Sequence, residues 1–491
     1  MSIVKKWSSI PLDETKKHEV SLKQISRNTL FLVIGQLASK TISFGYFLVL
    51  TRCFTVAEFG NISLVLSLLL LAYTVSESGL TRLVIRDIGR DEKQLQSYIS
   101  LLIPLNGMLC LLTYGVLSVV AWASYPSEVL HLIIIGGLSL LPMGLGVLFN
   151  AFLHARQLMM FSSIGEIVLS VSQAVLGISA MLIEVSPDIV LCTFFLSSLI
   201  YMIFLGYKVC RVGYSLRLVF DFPKMLHLLV NALPYAGIGI LMTLSLRAET
   251  LLLGWFATSK EIGLYSVAIK FSEAAIFLPL MLASSVSPVL AKVHDESTLK
   301  LRAIYLWAMH RLVQWLLPFS IAVIIASDKI ITLLFTPEYI DAAAILKITF
   351  VAFPFLSLQM LNSTVLLTSS YARKTLVLYA FTTIFQFILG SILVTRWGAN
   401  GAALSFLSSH FITFLVSYHY IRKWFMQKIG GLFNILSPVI AGLVMSLVIY
   451  IGGDVLGIWI VPVALAVYAA CIAVLPQSRF TEHYLATEKI R

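Results

Sequence analysis

Thr55-Val56-Ala57-Glu58-Phe59-Gly60-Asn61-Ile62-Ser63 and Thr258-Ser259-Lys260-Glu261-Ile262-Gly263-Leu264-Tyr265-Ser266 obey one pattern, T-x-x-E-[FI]-G-x-x-S, at an offset of 203 residues. Each segment follows one long apolar stretch and precedes another. Asn28 and Asn231 stand at the same offset, just ahead of the apolar stretches that lead into the two segments. A chance likeness between two short loops is the alternative. The offset, however, equals six apolar stretches plus a linker, which is where a gene duplication would put it.

Outward from this pair, the 491-residue chain is 59% apolar and only 12% charged. Soluble domains sit nearer half apolar and a quarter charged, so a soluble enzyme has no polar coat to draw on here, and disorder is excluded by the apolar content. Fourteen stretches are long enough to cross a bilayer as helices: 28–50, 62–81, 97–123, 129–153, 163–184, 188–207, 232–256, 264–290, 303–326, 342–369, 375–395, 399–421, 432–452 and 456–476. Barrel strands would be half as long and alternate in polarity. The longest interior connection, 208–231, holds a candidate interfacial helix at Phe222–Val230. Cys53, Cys110, Cys192, Cys210 and Cys471 form no CxxC or Cys/His cluster, so neither a disulfide framework nor a metal site is expected. Residues 1–27 are polar, and no cleavage-site pattern follows the first apolar run, which reads as an uncleaved span.

Basic residues follow an alternation. With the N-terminus inside, cytoplasmic segments hold 26 Lys and Arg, and outside segments hold four: Arg52, Lys260, Lys329 and Arg396. The net charge of +11 is thus explained by topology, without nucleic acid. Both termini are expected in the cytoplasm and both E-x-G loops outside. The expected fold is an all-α polytopic membrane protein. A cytoplasmic tail (1–27) leads into a first six-helix lobe (28–208), and a linker (209–231) into a second lobe (232–423) in parallel pseudo-two-fold repeat. Two additional helices and a tail (424–491) complete it. Parallel repeats of this kind are a transporter architecture with the substrate path between lobes.

The E-F-G and E-I-G loops, the Ser78-Gly79-Leu80-Thr81-Arg82 tract, Leu233-Pro234-Tyr235, Arg247-Ala248-Glu249, Leu253-Gly254, Ser287-Pro288-Val289-Leu290-Ala291-Lys292 and the glycine-rich Gly398–Ala403 occur in an order that resembles the polysaccharide-export branch of the MOP superfamily, most like O-antigen flippases of the Wzx type. The resemblance covers about residues 25–425. It implies a flippase of the bacterial inner membrane for undecaprenyl-pyrophosphate-linked glycans, working by alternating access and breaking no covalent bond. It admits a polysaccharide polymerase and chain-length proteins as neighbours, and no cofactor.

A charge inside the bilayer needs a partner or an aqueous cavity. Lys40 lies mid-span 1 and Arg247 mid-span 7, on repeat-equivalent helices, so both can face a central cleft and hold an anionic head group; the alternative is an internal ion pair. Lys270 also belongs to the cationic set, but Glu273 three residues on can neutralise it on the same helix face. Arg311 and Lys347 lie near span ends and can snorkel, and Arg52 sits at the lip of span 1. Glu77, Glu166, Glu249 and Glu273 are the candidate ion-coupling acids, with helix-tethering hydrogen bonds as the other reading of each. Arg247 and Glu249, two apart, point to opposite sides of a helix and cannot pair within it. Two rivals remain. A cation-coupled multidrug exporter would place acids where Lys40 stands. A polysaccharide polymerase or ligase would carry a large outside loop, and the longest here is about 327–341.

Overall fold

The computed structural model describes residues 22–89, 91–294, 298–368, 372–425, 438–448 and 460–474. Apart from short turns and the stretch 212–221 these are helical, and they contain no strand. Both tails, 1–21 and 475–491, and the remaining parts of the expected spans 13 and 14 lie outside the described residues.

Spans 1 to 3 are Leu22–Cys53, Val56–Glu77 and Leu95–Ser124. Span 4 is built of two pieces, Ser127–Gly137 and Leu140–Ala155, and spans 5 and 6 are Met159–Met181 and Pro187–Arg211. Span 7 is Phe222–Phe256, span 8 again two pieces (Ser259–Ala275 and Phe277–His294), span 9 Thr298–Leu334 and span 10 Ala342–Thr368. Spans 11 and 12 form one run, Ala372–Phe425, that breaks at Gly398, where φ is 52° and ψ −129°. A straight 54-residue helix would reach about 80 Å at 1.5 Å per residue, far beyond a bilayer, so the break turns the chain back. The described parts of the expected spans 13 and 14 are the helices Pro438–Val448 and Ile460–Val474. Among the described residues, eleven runs are individually long and apolar enough to cross a membrane, Leu376–Lys423 counting as one of them.

Two expectations need correction. Phe222–Val230 is no separate interfacial helix. Asp221 caps its first turn, accepting from the Lys224 backbone N–H at 3.2 Å, and the helix runs unbroken into span 7. Span 2 stops at Glu77 rather than 81, because Ser78 and Gly79 turn left-handed (φ 47° and 75°). A short helix, Leu80–Ile88, follows and buries Leu80, Leu83, Val84 and Ile88.

Spans 1–6 pack among themselves, as do spans 7–12, and the two sets meet mainly where span 2 runs along spans 7 and 8. In the repeat itself, each T-x-x-E forms a capping box. Thr55 N–H donates to Glu58 Oε2 at 3.0 Å and Thr258 N–H to Glu261 Oε2 at 3.1 Å, while each threonine Oγ1 accepts from the glutamate's backbone N–H. Gly60 and Gly263 then lie against each other. A Cβ on Gly60 would stand 2.9 Å from the Gly263 nitrogen, and one on Gly263 would stand 2.9 Å from Val56 Cγ1. Equivalent glycines in mutual contact put the pseudo-two-fold axis between them, and both repeat loops at one end of the molecule. Spans 13 and 14 pack outside this core: Ala441, Met445, Ala464 and Tyr468 cluster against Ile321 and Ala322 of span 9, and Tyr468 donates to the Gln314 carbonyl at 2.9 Å.

Candidate functional site

Two polar cavities lie along span 1 and share Lys40, Ser43, Gln173 and Glu273. The first, about 270 Å³, reaches toward the repeat-loop end and is lined by Phe47, Ser63, Ser67, Arg247, Ser266 and Lys270 among others. The second, about 480 Å³, reaches the opposite, linker end past Gln36, His154 and Glu166 to Leu32. From Leu50 to Leu32 the pair follows span 1 for about 27 Å at helical rise, close to the thickness of a hydrocarbon core.

The repeat-loop end is closed by aromatic rings from both lobes. Phe47 packs edge-on against Phe59 (5.5 Å) and Phe335 (5.9 Å), Phe44 meets Phe271 (5.6 Å) and Phe59 meets Tyr339 (6.4 Å). Arg52 stands at this end, exposed, and donates to the Leu334 carbonyl at 3.3 Å. At the linker end the lobes touch through Thr74 and Thr243, whose hydroxyls lie 3.2 Å apart. Arg86 of the short helix donates to Tyr235 Oη at 3.0 Å and covers its ring at 5.6 Å.

Where the cavities meet, one carboxylate faces three cations. Glu273 Oε1 pairs with the Arg247 guanidinium, and Glu273 Oε2 with Lys270 Nζ at 3.2 Å. Lys270 also stands 5.8 Å over the Phe47 ring. Lys40 completes the lining; among the described residues it makes no ion pair. Arg247 Nε is buried without a hydrogen-bond partner. The i, i+3 pairing of Lys270 with Glu273 is as read from sequence, and the second partner, 26 residues away on span 7, is what the fold adds.

Other candidates stand elsewhere. Arg311 donates to Gln314 Oε1 at 2.8 Å and lines neither cavity. Lys347 pairs with Asp328 at 2.7 Å near the repeat-loop end. Glu77 is a capping group: its carboxylate accepts from Gly79 N–H (3.1 Å) and Thr81 N–H (2.6 Å), holding the start of the short helix. Glu249 is buried, 1% exposed, inside the second lobe, where Oε1 accepts from Gln386 Nε2 (2.8 Å) and Ser405 Oγ (3.2 Å), away from both cavities. Glu166 does line the larger cavity and accepts from Asn150 and Tyr201, each at 3.3 Å. The uncharged liners were missed in sequence. A signal existed: Gln36, Ser39, Lys40 and Ser43 recur at three- and four-residue spacing, one polar face on an otherwise apolar helix.

A family model described as "Polysaccharide biosynthesis protein" matches residues 49–344. A comparison with curated proteins finds no match by sequence. Among solved structures, the lipid II flippase MurJ in an inward closed conformation superposes with a TM-score of 0.75 at 13% identity, over 94% of this chain and all of that one. An inward-facing multidrug resistance MATE family transporter of the MOP superfamily gives 0.65 at 14% identity, over 79% of this chain and 94% of its own. A MOP superfamily transporter from Pyrococcus furiosus gives 0.58 at 13% identity, over 82% and 96%. At these identities the likeness is one of fold.

Proposed function

From the premise that the chain belongs to the polysaccharide biosynthesis protein family, we propose that it is a flippase for glycans carried on undecaprenyl pyrophosphate, such as an O-antigen repeat unit, in the bacterial inner membrane. The observation that carries the reading is the charge at the junction of the cavities: Lys40, Arg247 and Lys270 around the single carboxylate Glu273. With Glu166 of the larger cavity counted, three cations stand against two carboxylates, one positive charge in excess inside the bilayer, where an unbalanced charge is costly. An anionic head group supplies the balance. Glu273 holds Arg247 and Lys270. A pyrophosphate takes over the guanidinium by paired hydrogen bonds and the two ammonium groups as point charges, while the polyprenyl tail stays in lipid. No bond of the cargo is broken. The multidrug-exporter reading fares worse because the cavity's excess charge has the wrong sign for a cationic drug.

In this reading the two lobes, 28–208 and 232–423, rock about the Gly60–Gly263 crossing. The linker end and both termini face the cytoplasm, the repeat loops face the periplasm, and the aromatic cluster is the outer seal. Glu166 and Glu273 are the cavity carboxylates available for ion coupling. Glu249 serves the packing of the second lobe, and a polymerase downstream draws product away. The test is complementation of a flippase-deficient strain, scored beside membrane levels of the protein. Arg247→Ala and Lys40→Ala should abolish surface polysaccharide at normal abundance, and Arg247→Lys should keep part of it. Normal polysaccharide from the double alanine variant would refute the cation site.

A further inference from the structure

The larger cavity has a wall that a pyrophosphate does not need. Beyond Lys40, toward the linker end, it is built from Gln36 and Ser39 of span 1 and Ser162, Ser163 and Ser170 of span 5. These side chains are uncharged and carry both hydrogen-bond donors and acceptors. Ser163 Oγ is buried with no hydrogen-bond partner, although its residue is only 6% exposed, so the wall holds a polar atom that the protein itself leaves unused. Buried polar atoms normally find a partner. Gly35 brings span 1 onto this point: a Cβ there would lie 3.0 Å from Ser163 Oγ.

Formal charge in this trough is sparse. Lys40 and Glu273 stand at its inner mouth and belong to the cation site. His154 is engaged by Ser162, Nε2 to Oγ 2.7 Å. Glu166 is the remaining acidic group, and its hydrogen bonds from Asn150 and Tyr201 both fall on Oε1. A second carboxylate brought beside Glu166 in a partly water-excluded cavity is repelled. A hydroxyl or an acetamido group is not, because it can donate to the carboxylate and to serine and glutamine oxygens alike.

We propose that this trough is the glycan subsite of the transport cavity, and that it selects repeat units whose sugars next to the pyrophosphate carry no carboxylate. The inference rests on the flippase reading above: it takes the pyrophosphate at Lys40, Arg247 and Lys270 as given, and places the first sugars along span 5. The ligand class is a neutral hexose or N-acetylhexosamine glycan, and a uronic acid in the same position is rejected.

The experiment measures binding to the purified full-length protein in nanodiscs, using three soluble probes: farnesyl pyrophosphate, the same lipid carrying one N-acetylhexosamine, and the same lipid carrying one hexuronic acid. The neutral sugar should tighten binding about tenfold over farnesyl pyrophosphate alone, and the uronic acid should weaken it about tenfold, the size of one modest hydrogen-bond gain and one screened like-charge contact. Glu166→Gln should bring the uronic probe to within about threefold of the neutral one. Ser163→Ala, which leaves the Asn150–Glu166–Tyr201 contacts intact, should lose most of the neutral sugar's gain without changing the affinity for farnesyl pyrophosphate. If farnesyl pyrophosphate binds and responds to Arg247→Ala, but the two sugars bind equally, the glycan subsite is refuted while the cation site stands. If farnesyl pyrophosphate does not bind at all, the flippase reading falls and takes the subsite with it.

Discussion

Replacing Gly60 with alanine should destabilise the protein although alanine is the better helix former. In an exposed helix interior the exchange gains about 0.8–1 kcal/mol. Here the new Cβ would stand 2.9 Å from the Gly263 nitrogen and 2.9 Å from the Ser259 carbonyl carbon, with the Ser259 oxygen closer still. Ordinary contact begins at about 3.5 Å, so spans 2 and 8 must separate by at least roughly half an ångström where they cross. The obstacles are backbone atoms and cannot rotate away. Overpacking of this kind costs about 1–3 kcal/mol or more, which exceeds the propensity gain. Gly263→Ala meets the Val56 backbone in the same way. Gly45, with nothing within 4 Å of its Cβ position, is the control. The assay is the apparent unfolding midpoint in detergent at one scan rate. Gly60→Ala and Gly263→Ala should each lower it by about 1–2 °C, and Gly45→Ala should leave it level or raise it. The double variant should lose less than the sum of the singles, because one separation of the helices accommodates both methyl groups. A neutral Gly60→Ala, or strictly additive losses, would refute the crossing of the repeats at these glycines.

Thr258→Ala removes one capping box and should cost about 1 kcal/mol, read as a smaller fall in the same midpoint; Thr55→Ala should match it. Glu273→Gln leaves Arg247 and Lys270 facing each other without a counter-charge and should lower membrane abundance. Adding Arg247→Ala should restore abundance but not polysaccharide export, which separates stability from transport. Gln386→Leu strips Glu249 of one of its two donors and should destabilise by about 1–3 kcal/mol, with Glu249→Gln the milder change by the same thermal assay. Thr74→Cys with Thr243→Cys places two thiols where hydroxyls now lie 3.2 Å apart between the lobes. Oxidative cross-linking there should stop export and a reductant should restore it; export unaffected by a complete cross-link would show that the lobes need not part at this end.

Spans 1 to 12 were legible because burial in lipid demands runs of about 20 apolar residues, and that requirement is written locally. The errors lay at ends. Span 7 begins at Phe222 rather than 232, because Asp221 caps a turn that hydropathy does not register. Span 2 ends at Glu77, because Ser78 and Gly79 adopt left-handed backbone angles that an apolar count passes over. Lys270 and Glu273 could be paired from spacing alone, since three residues on a helix fix their distance.

By itself the sequence determined a polytopic all-helical chain, a pattern repeated within it and the candidate charges. Composition, periodicity and the offset of 203 residues are properties of the chain in order. Which charges share a cavity is a property of how helices cross, and only the tertiary structure decided it. Arg247 meets Glu273 because spans 7 and 8 pack side by side, whereas Glu249, two residues on, turns into the second lobe toward Gln386 and Ser405. Glu77 and Glu166 look alike in sequence, each an acid among apolar neighbours. One caps a short helix and the other lines a trough, because a side chain's role follows from what the neighbouring helices bring within about 3 Å of it.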